Sequence, residues 1–282
     1  MKKLIVTAHH KNDATIPLFK KYFFPIQVGS ELNTLRFEIT PDNLGDNISF
    51  KNKSYCELTA HYYVLKNLDF NYAGLMHYRR IFTTRNKWHS LIKNYFKYYL
   101  NIFKGFFDIK DLNLFLENNL VTSNLSELDE HCQSFHSYVN KYDFESIDII
   151  LPKKIKYAYL NLQNQYSINH CNLHFEIFNK TILLMFPQFE NILIEVNSRK
   201  KIYPYNMFVM KSSFYREYHE MLFVLLQELE KNIEISKLDP YQFRVYGFLS
   251  ERFLNYYIEW VRTREKLNII ELRTIFIASE LC

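Results

Sequence analysis

Short apolar runs alternate along this chain with longer stretches in which apolar residues recur at helical spacing. Leu4 to Ala8 is an apolar run that ends in His9, His10 and Lys11. It reads as a first β-strand with polar residues at its carboxyl end. Ile16 to Tyr22 predicts a short helix with Pro17 in its first turn. Pro25 to Gly29 reads as a connection, and Thr40 to Asn47 is dense in turn residues. Tyr55, Leu58, Tyr62 and Leu65 share one helical face, and Ser54 with Glu57 has the form of a capping box. One helix is therefore expected from Ser54 to Lys66, followed by a buried strand from Tyr72 to Met76.

Helical patterns follow over Trp88 to Phe107, Asp111 to Asn118 and Ser126 to Tyr142, with Leu120 to Leu125 as strand or loop. Ile147 to Leu151 predicts a strand with the basic exit Lys153-Lys154. Asn161 to Phe186 reads as mostly helical, Tyr205 to Met210 as a strand, and Ser212 to Leu229 and Gln242 to Trp260 as long helices. Leu267 to Ala278 reads as strand then helix. Strands alternating with helices, without repeat or linker, predict one α/β domain over residues 1–282: a mixed, mostly parallel sheet flanked by helices, with a helical C-terminal part.

Composition changes this picture in one respect. The 282 residues carry 25 Phe and 22 Tyr against 5 Gly, so many rings must face the surface or a cleft. A net charge of +5 favours anionic ligands or an anionic membrane face; the basic aromatic segment Trp88 to Phe107 is read first as a helix packed on the sheet, with peripheral contact with the inner membrane as the alternative. Neither a zinc-finger spacing nor an RNP-like motif accompanies the charge, which argues against nucleic acid. The cysteines at 56, 132, 171 and 282 are scattered, as in a reduced cytoplasmic protein. The N-terminal apolar run is too short for a signal peptide, and no stretch is long and apolar enough for a transmembrane helix.

The stretch from Asp42 to Arg80 carries the main chemistry. Its strand delivers His77, Tyr78, Arg79 and Arg80 at the carboxyl end, where open α/β sheets bind ligands. Arginine forks onto phosphate oxygens, so this end is a candidate diphosphate site, with His9, His10 and Lys11 beside it. His170 and His174 have a spacing that would share one helical face, but no third metal ligand is evident; His170 is kept as a candidate contact to substrate sugar or phosphate. Glu251 is a candidate general base, or else half of an ion pair with Arg252. GxGxxG and P-loop motifs are absent, which argues against a dinucleotide fold or P-loop ATPase, and no GxSxG elbow occurs. No D-x-D pair occurs either. A divalent metal (Mn or Mg) therefore has no obvious ligand pair, and arginine charge can stand in for it.

The segments VTAHHK, DNLGDNISFKNKSYCELT, YAGLMHYRR, IILPKK, NMFVM and GFLSER together resemble a bacterial glycosyltransferase family. Its members belong to capsule, O-antigen, lipopolysaccharide and exopolysaccharide clusters and were long regarded as a domain of unknown function. The resemblance implies a GT-A-like fold and transfer from a nucleotide sugar; some such families are galactofuranosyltransferases using the UDP-linked sugar. It also implies that His9, His10, Asp46, Asn47, Lys51, Asn52, Glu57, His77, Arg79 and Arg80 line the donor site. Asn206, Met207, Glu251 and Arg252 would lie near the acceptor. Residues 1–155 would then form the nucleotide-sugar half and 156–282 the acceptor-side helical half. His174 departs from the family's acidic preference, and Trp88 to Asn140 carries no family motif.

Two functions follow as expectations. The first is an inverting hexosyltransferase that moves a sugar from UDP to a glycan or lipid-linked acceptor, with Glu251, then Glu57, as base and Arg79 and Arg80 on the leaving group. The second is a non-catalytic nucleotide-sugar- or glycan-binding subunit of a polysaccharide assembly complex.

Overall fold

The computed structural model describes residues 1–85, 120–157, 160–278 and 281. The helices expected over Trp88 to Phe107 and Asp111 to Asn118, with both readings of the first, lie outside the described residues.

The first half builds β1 (Lys3–His9), α1 (Ile16–Tyr22), β2 (Phe24–Gln27), β3 (Thr40–Pro41), α2 (Asn52–Tyr55), α3 (Leu58–Asn67), β4 (Tyr72–His77) and β5 (Arg80–Thr83). Then follow β6 (Leu120–Thr122), α4 (Leu125–Val139), β7 (Ile149–Pro152), β8 (Ile155–Lys156), α5 (Leu162–Asn169), α6 (Asn172–Met185) and α7 (Glu190–Ser198). The chain closes with β9 (Lys201–Ile202), β10 (Phe208–Lys211), α8 (Ser212–Asn232), α9 (Val245–Arg264) and β11 (Ile269–Ile277).

Among the described residues the main sheet has nine strands. Parallel pairings join β3, β2, β1 and β4, and separately β7, β11 and β6. Antiparallel pairings of β10 with β4 and β7, and of β5 with β4 and β11, weld these two parts into one mixed sheet. β4 is therefore flanked by β1 on one side and by both β10 and β5 on the other. Gly74 permits the close approach of β10: a Cβ there would stand 2.2 Å from the carbonyl oxygen of Phe208.

The period of two along each strand sorts side chains between two cores. Leu4, Val6, Ala73, Leu75, Phe208 and Met210 face α3 and α5 to α9. Ile5, Tyr72, Met76, Met207 and Val209 face α1 and α4, where Phe19, Leu128 and Phe135 are fully buried. α8 places Phe214, Tyr218, Leu222, Leu225 and Leu229 on one buried stripe. Truncating Leu222, which is fully buried, to Ala costs about 2–5 kcal/mol.

Several elements differ from expectation. The helix from Ser54 to Lys66 is two helices, because Cys56 has φ 54° and breaks the ladder. The Ser54–Glu57 capping box does not form; the Ser54 hydroxyl donates to the Lys51 carbonyl at 3.2 Å instead. The long helix over 161–186 breaks at His170 and Cys171 into α5 and α6, so His170 and His174 do not share a helical face. Residues 24–27 are a strand where a connection was expected, and the tail is a single strand, β11.

Candidate active site

A cleft of about 620 Å³ opens beyond the carboxyl ends of the parallel strands β1, β2 and β4. Its floor is set by backbone devices. The buried Asp42 carboxylate accepts from the amides of Gly29 and Ser30 at 2.9 and 3.0 Å and from the Ser49 hydroxyl, which draws three loops together. Gly29 is left-handed (φ 67°), and a Cβ there would meet Asn52 Oδ1 at 2.7 Å, so the glycine is what lets Asn52 occupy the wall. The Asn52 amide donates to the Cys56 carbonyl at 2.7 Å and holds the strained turn between α2 and α3. That turn directs Glu57 into the cleft.

Three guanidiniums converge here. Arg79 lies over the Phe276 ring at 4.7 Å, and Arg80 lies between Tyr205 (4.3 Å) and Phe276 (5.1 Å). Tyr205 presents its ring from a left-handed backbone, φ 64°. The Nε atoms of both arginines are buried without a hydrogen-bond partner. Arg244, on the turn before α9, donates from Nε to the Cys56 sulfur at 3.2 Å. Among the described residues none of the three meets a carboxylate within ion-pair distance. Three like charges, with Glu57 and Glu251 near but not in ion-pair contact, repel one another, and an anion in the cleft relieves that repulsion. Burial, then Arg80, His10, Arg244 and Arg79, push the His77 imidazole well below its ordinary pKa. It is therefore neutral, and its Nδ1 accepts from the Arg79 amide at 3.2 Å.

A second cleft of about 400 Å³ shares Arg80 and Arg244 with the first and runs on past Gln165, His170, Tyr241, Phe248, Glu251 and Arg252. Arg252 is nearly buried and is committed to protein: it donates to Glu251 Oε2 (3.0 Å), Gln165 Oε1 (2.6 Å) and the Phe248 carbonyl (3.1 Å). Burial raises the pKa of the Glu251 carboxyl and nearby Glu57 adds to the rise, against the opposing pull of Arg252, Arg80 and Arg244. A carboxyl so balanced can accept a proton and return it.

The structure brings most of the candidate residues to these clefts. His10, Asn52, Glu57, His77, Tyr78, Arg79 and Arg80 line the first; His170, Glu251 and Arg252 line the second. Lys11 stands 6.0 Å from the centre of the Tyr78 ring. The remaining candidates lie elsewhere. His9, the last residue of β1, is fully buried against Phe19 and hydrogen-bonded to Thr7 at 3.1 Å. Asp46 and Asn47 shape the surface turn, where Asp46 accepts from Tyr62 and Asn47 bonds Gly45 and Ser49. Lys51 pairs with Glu230 at 2.7 Å. Met207 is buried in the α1/α4 core, and Asn206 reaches the site only through Glu57, to which it donates at 2.8 Å. Arg244, Cys56, Tyr205, Tyr241 and Phe276 were not singled out from sequence. Arg244 had one signal, its place three residues before Gly247 of the GFLSER segment; Phe276 is delivered by β11, from the far end of the chain. Among the described residues no three His, Cys, Asp or Glu side chains gather as a metal site, and no helix is long and apolar enough to cross a membrane.

The mixed sheet flanked by helices, with a basic cleft at its strand ends, has a counterpart among solved structures. The apo structure of WbbM, a bifunctional glycosyltransferase, matches this fold with a TM-score of 0.81 at 26% identity, over 99% of this chain and 46% of that one. The chain thus spans less than half the length of that protein. It belongs to the family described as Domain of unknown function (DUF4422), whose model matches residues 3–263. No protein of curated function matches it.

Proposed function

We propose that the chain is an inverting glycosyltransferase of GT-A type that moves a sugar from a nucleotide diphosphate to a glycan acceptor. The observation that carries this reading is the convergence of Arg79, Arg80 and Arg244 on one cleft without a carboxylate partner among the described residues. The diphosphate of the donor lies against these guanidiniums, and the sugar points toward the second cleft. Glu251 takes the proton of an acceptor hydroxyl. That oxygen forms a bond to the anomeric carbon as the carbon–oxygen bond to the nucleotide breaks, and the diphosphate leaves with its negative charge held by arginine. Glu251 is favoured over Glu57 because it lines the second cleft and its proton affinity is raised. By family resemblance the donor is a UDP-sugar, with galactofuranose the first to test, and the acceptor a growing surface polysaccharide or lipid-linked glycan.

The test is turnover of UDP-galactofuranose and other UDP-hexoses by the purified chain, with Mn²⁺ or Mg²⁺ and with EDTA. UDP release is expected, and Glu251→Gln should lower it by about 10²–10⁴-fold with UDP binding retained. Binding of UDP-sugars without release, across donors and acceptors, would instead favour a non-catalytic subunit.

A further inference from the structure

The second cleft contains an assembly that the transfer chemistry does not use. Tyr241 is 52% exposed, on a turn with no core to fill. The turn is fixed from below: the amides of Tyr241 and Gln242 donate to Asp239 Oδ1 at 2.8 and 3.0 Å. The His170 ring lies nearly parallel to Tyr241, at 15° and 5.8 Å, and Phe248 packs on both, at 4.0 Å from His170 and 5.2 Å from Tyr241. Gln242 locks the two segments together. Its side-chain oxygen meets His170 Nδ1 at 3.3 Å, and its amide nitrogen donates to the Asn169 carbonyl at 2.9 Å. Three rings are thus held as one stacked cluster on the wall of a polar cleft, with Phe248 buried against His170 and Tyr241 exposed.

We propose that Tyr241, backed by His170 and Phe248, presents a stacking face for the ring of an acceptor sugar. The proposal rests on the glycosyltransferase reading above. A sugar ring has an apolar C–H face and a polar hydroxyl rim. An aromatic face, with its negative quadrupole, suits the former, and nearby Gln165 and Asn169 suit the latter. One cation stands beside the rings: the Arg244 guanidinium lies 5.4 Å from the centre of the Phe248 ring. Arg252 is engaged by Glu251 and Gln165, and burial lowers the His170 pKa to about 4, so its ring is neutral near pH 7. Arg80 and Arg244 lie where the two clefts meet. A sugar on the platform therefore sits in the cleft that Glu251 lines and next to the donor's diphosphate site.

Saturation-transfer NMR of the full chain, loaded with UDP, tests this with methyl glycosides of galactofuranose, galactopyranose and N-acetylglucosamine as probes. At least one glycoside should receive saturation at its ring C–H protons. Tyr241→Ala should weaken its affinity by about five- to tenfold, Tyr241→Phe should restore it, and UDP affinity by calorimetry should match wild type in both. Equal glycoside binding by wild type and Tyr241→Ala overturns the platform, as does a wild type that binds UDP and no glycoside. A wild type that binds neither UDP nor glycoside fails the proposed function, and the platform with it.

Discussion

The side-chain amide of Asn206 donates to Glu57 Oε1 at 2.8 Å and to Ser250 Oγ at 2.9 Å, from a position only 2% exposed. It ties the turn before α3 to the middle of α9, and so links the wall of the first cleft to the helix that carries Glu251. An amide can donate here; a carboxylate cannot. Asn206→Asp would set a second carboxyl against Glu57 in a buried place, which raises the pKa of the new acid above its unfolded value of about 3.9. An acid whose folded pKa is raised binds its proton more tightly when folded, so stability falls as pH rises above about 4. The melting temperature of Asn206→Asp should lie several degrees below wild type at pH 8, and the gap should narrow at pH 5. A gap of equal size at both pH values would count against this account of Asn206.

Arg80 lies between two aromatic rings, Tyr205 and Phe276. Packing against two rings suits a flat cation, and forking onto a diphosphate requires paired donors, so lysine cannot replace it. Arg80→Lys should raise the KM for the UDP-sugar about ten- to hundredfold, as expected for loss of a charge-assisted contact of about 1.5–3 kcal/mol. Its melting temperature should stay near wild type, because the arginine has no carboxylate partner among the described residues. A variant with wild-type KM would remove Arg80 from the donor site.

Lys51 provides the contrasting case. The resemblance implies a donor contact, whereas its ammonium reaches the Glu230 carboxylate at 2.7 and 2.8 Å and lies 5.3 Å from the Tyr55 ring. Both partners are part-exposed, 24% and 30%, so the pair contributes about 0.5–1 kcal/mol. Lys51→Ala should therefore lower the melting temperature by about 1–4 °C and leave UDP affinity unchanged. A tenfold weaker UDP affinity would return Lys51 to the donor site.

The sequence was legible where a pattern is local. The apolar runs of β1 and β4, the turn residues around Gly45 and the long helical segments of α8 and α9 are local signals, and these elements form there. The strand ending in His77-Tyr78-Arg79-Arg80 does reach the cleft, because β4 is central and its carboxyl end is open. His9 and His10 show the limit of reading by adjacency: His9 ends β1 buried against Phe19, whereas His10, just past the strand end, lines the cleft. Cys56 and His170 ended helices that periodicity alone carried through, since a strained backbone at one residue leaves no mark in the hydrophobic pattern. Arg244, Tyr205 and Phe276 join Arg80 only through tertiary packing, and no spacing in the chain announces that meeting.

His61 sets how the fold responds to acid. It is fully buried, with Nδ1 2.9 Å from the Tyr215 hydroxyl and its ring 4.5 Å from that of His219. Burial lowers its pKa to about 3, and His219, also fully buried, is held well below its ordinary value by burial and then by His61. Each histidine is therefore neutral in the folded protein near neutral pH. Below about pH 6.5 the unfolded chain takes up a proton at each site and the folded chain does not, so stability is full above that pH and is lost as pH falls toward the folded pKa. Between pH 7 and pH 5 the loss at His61 comes to about 2 kcal/mol. His61→Asn keeps a group able to meet Tyr215 and removes the titration. Urea unfolding of this variant should give a lower stability than wild type at pH 7 and a difference between pH 7 and pH 5 smaller by about 2 kcal/mol. If the pH dependence of His61→Asn equals that of wild type, acid sensitivity does not arise from this buried ring.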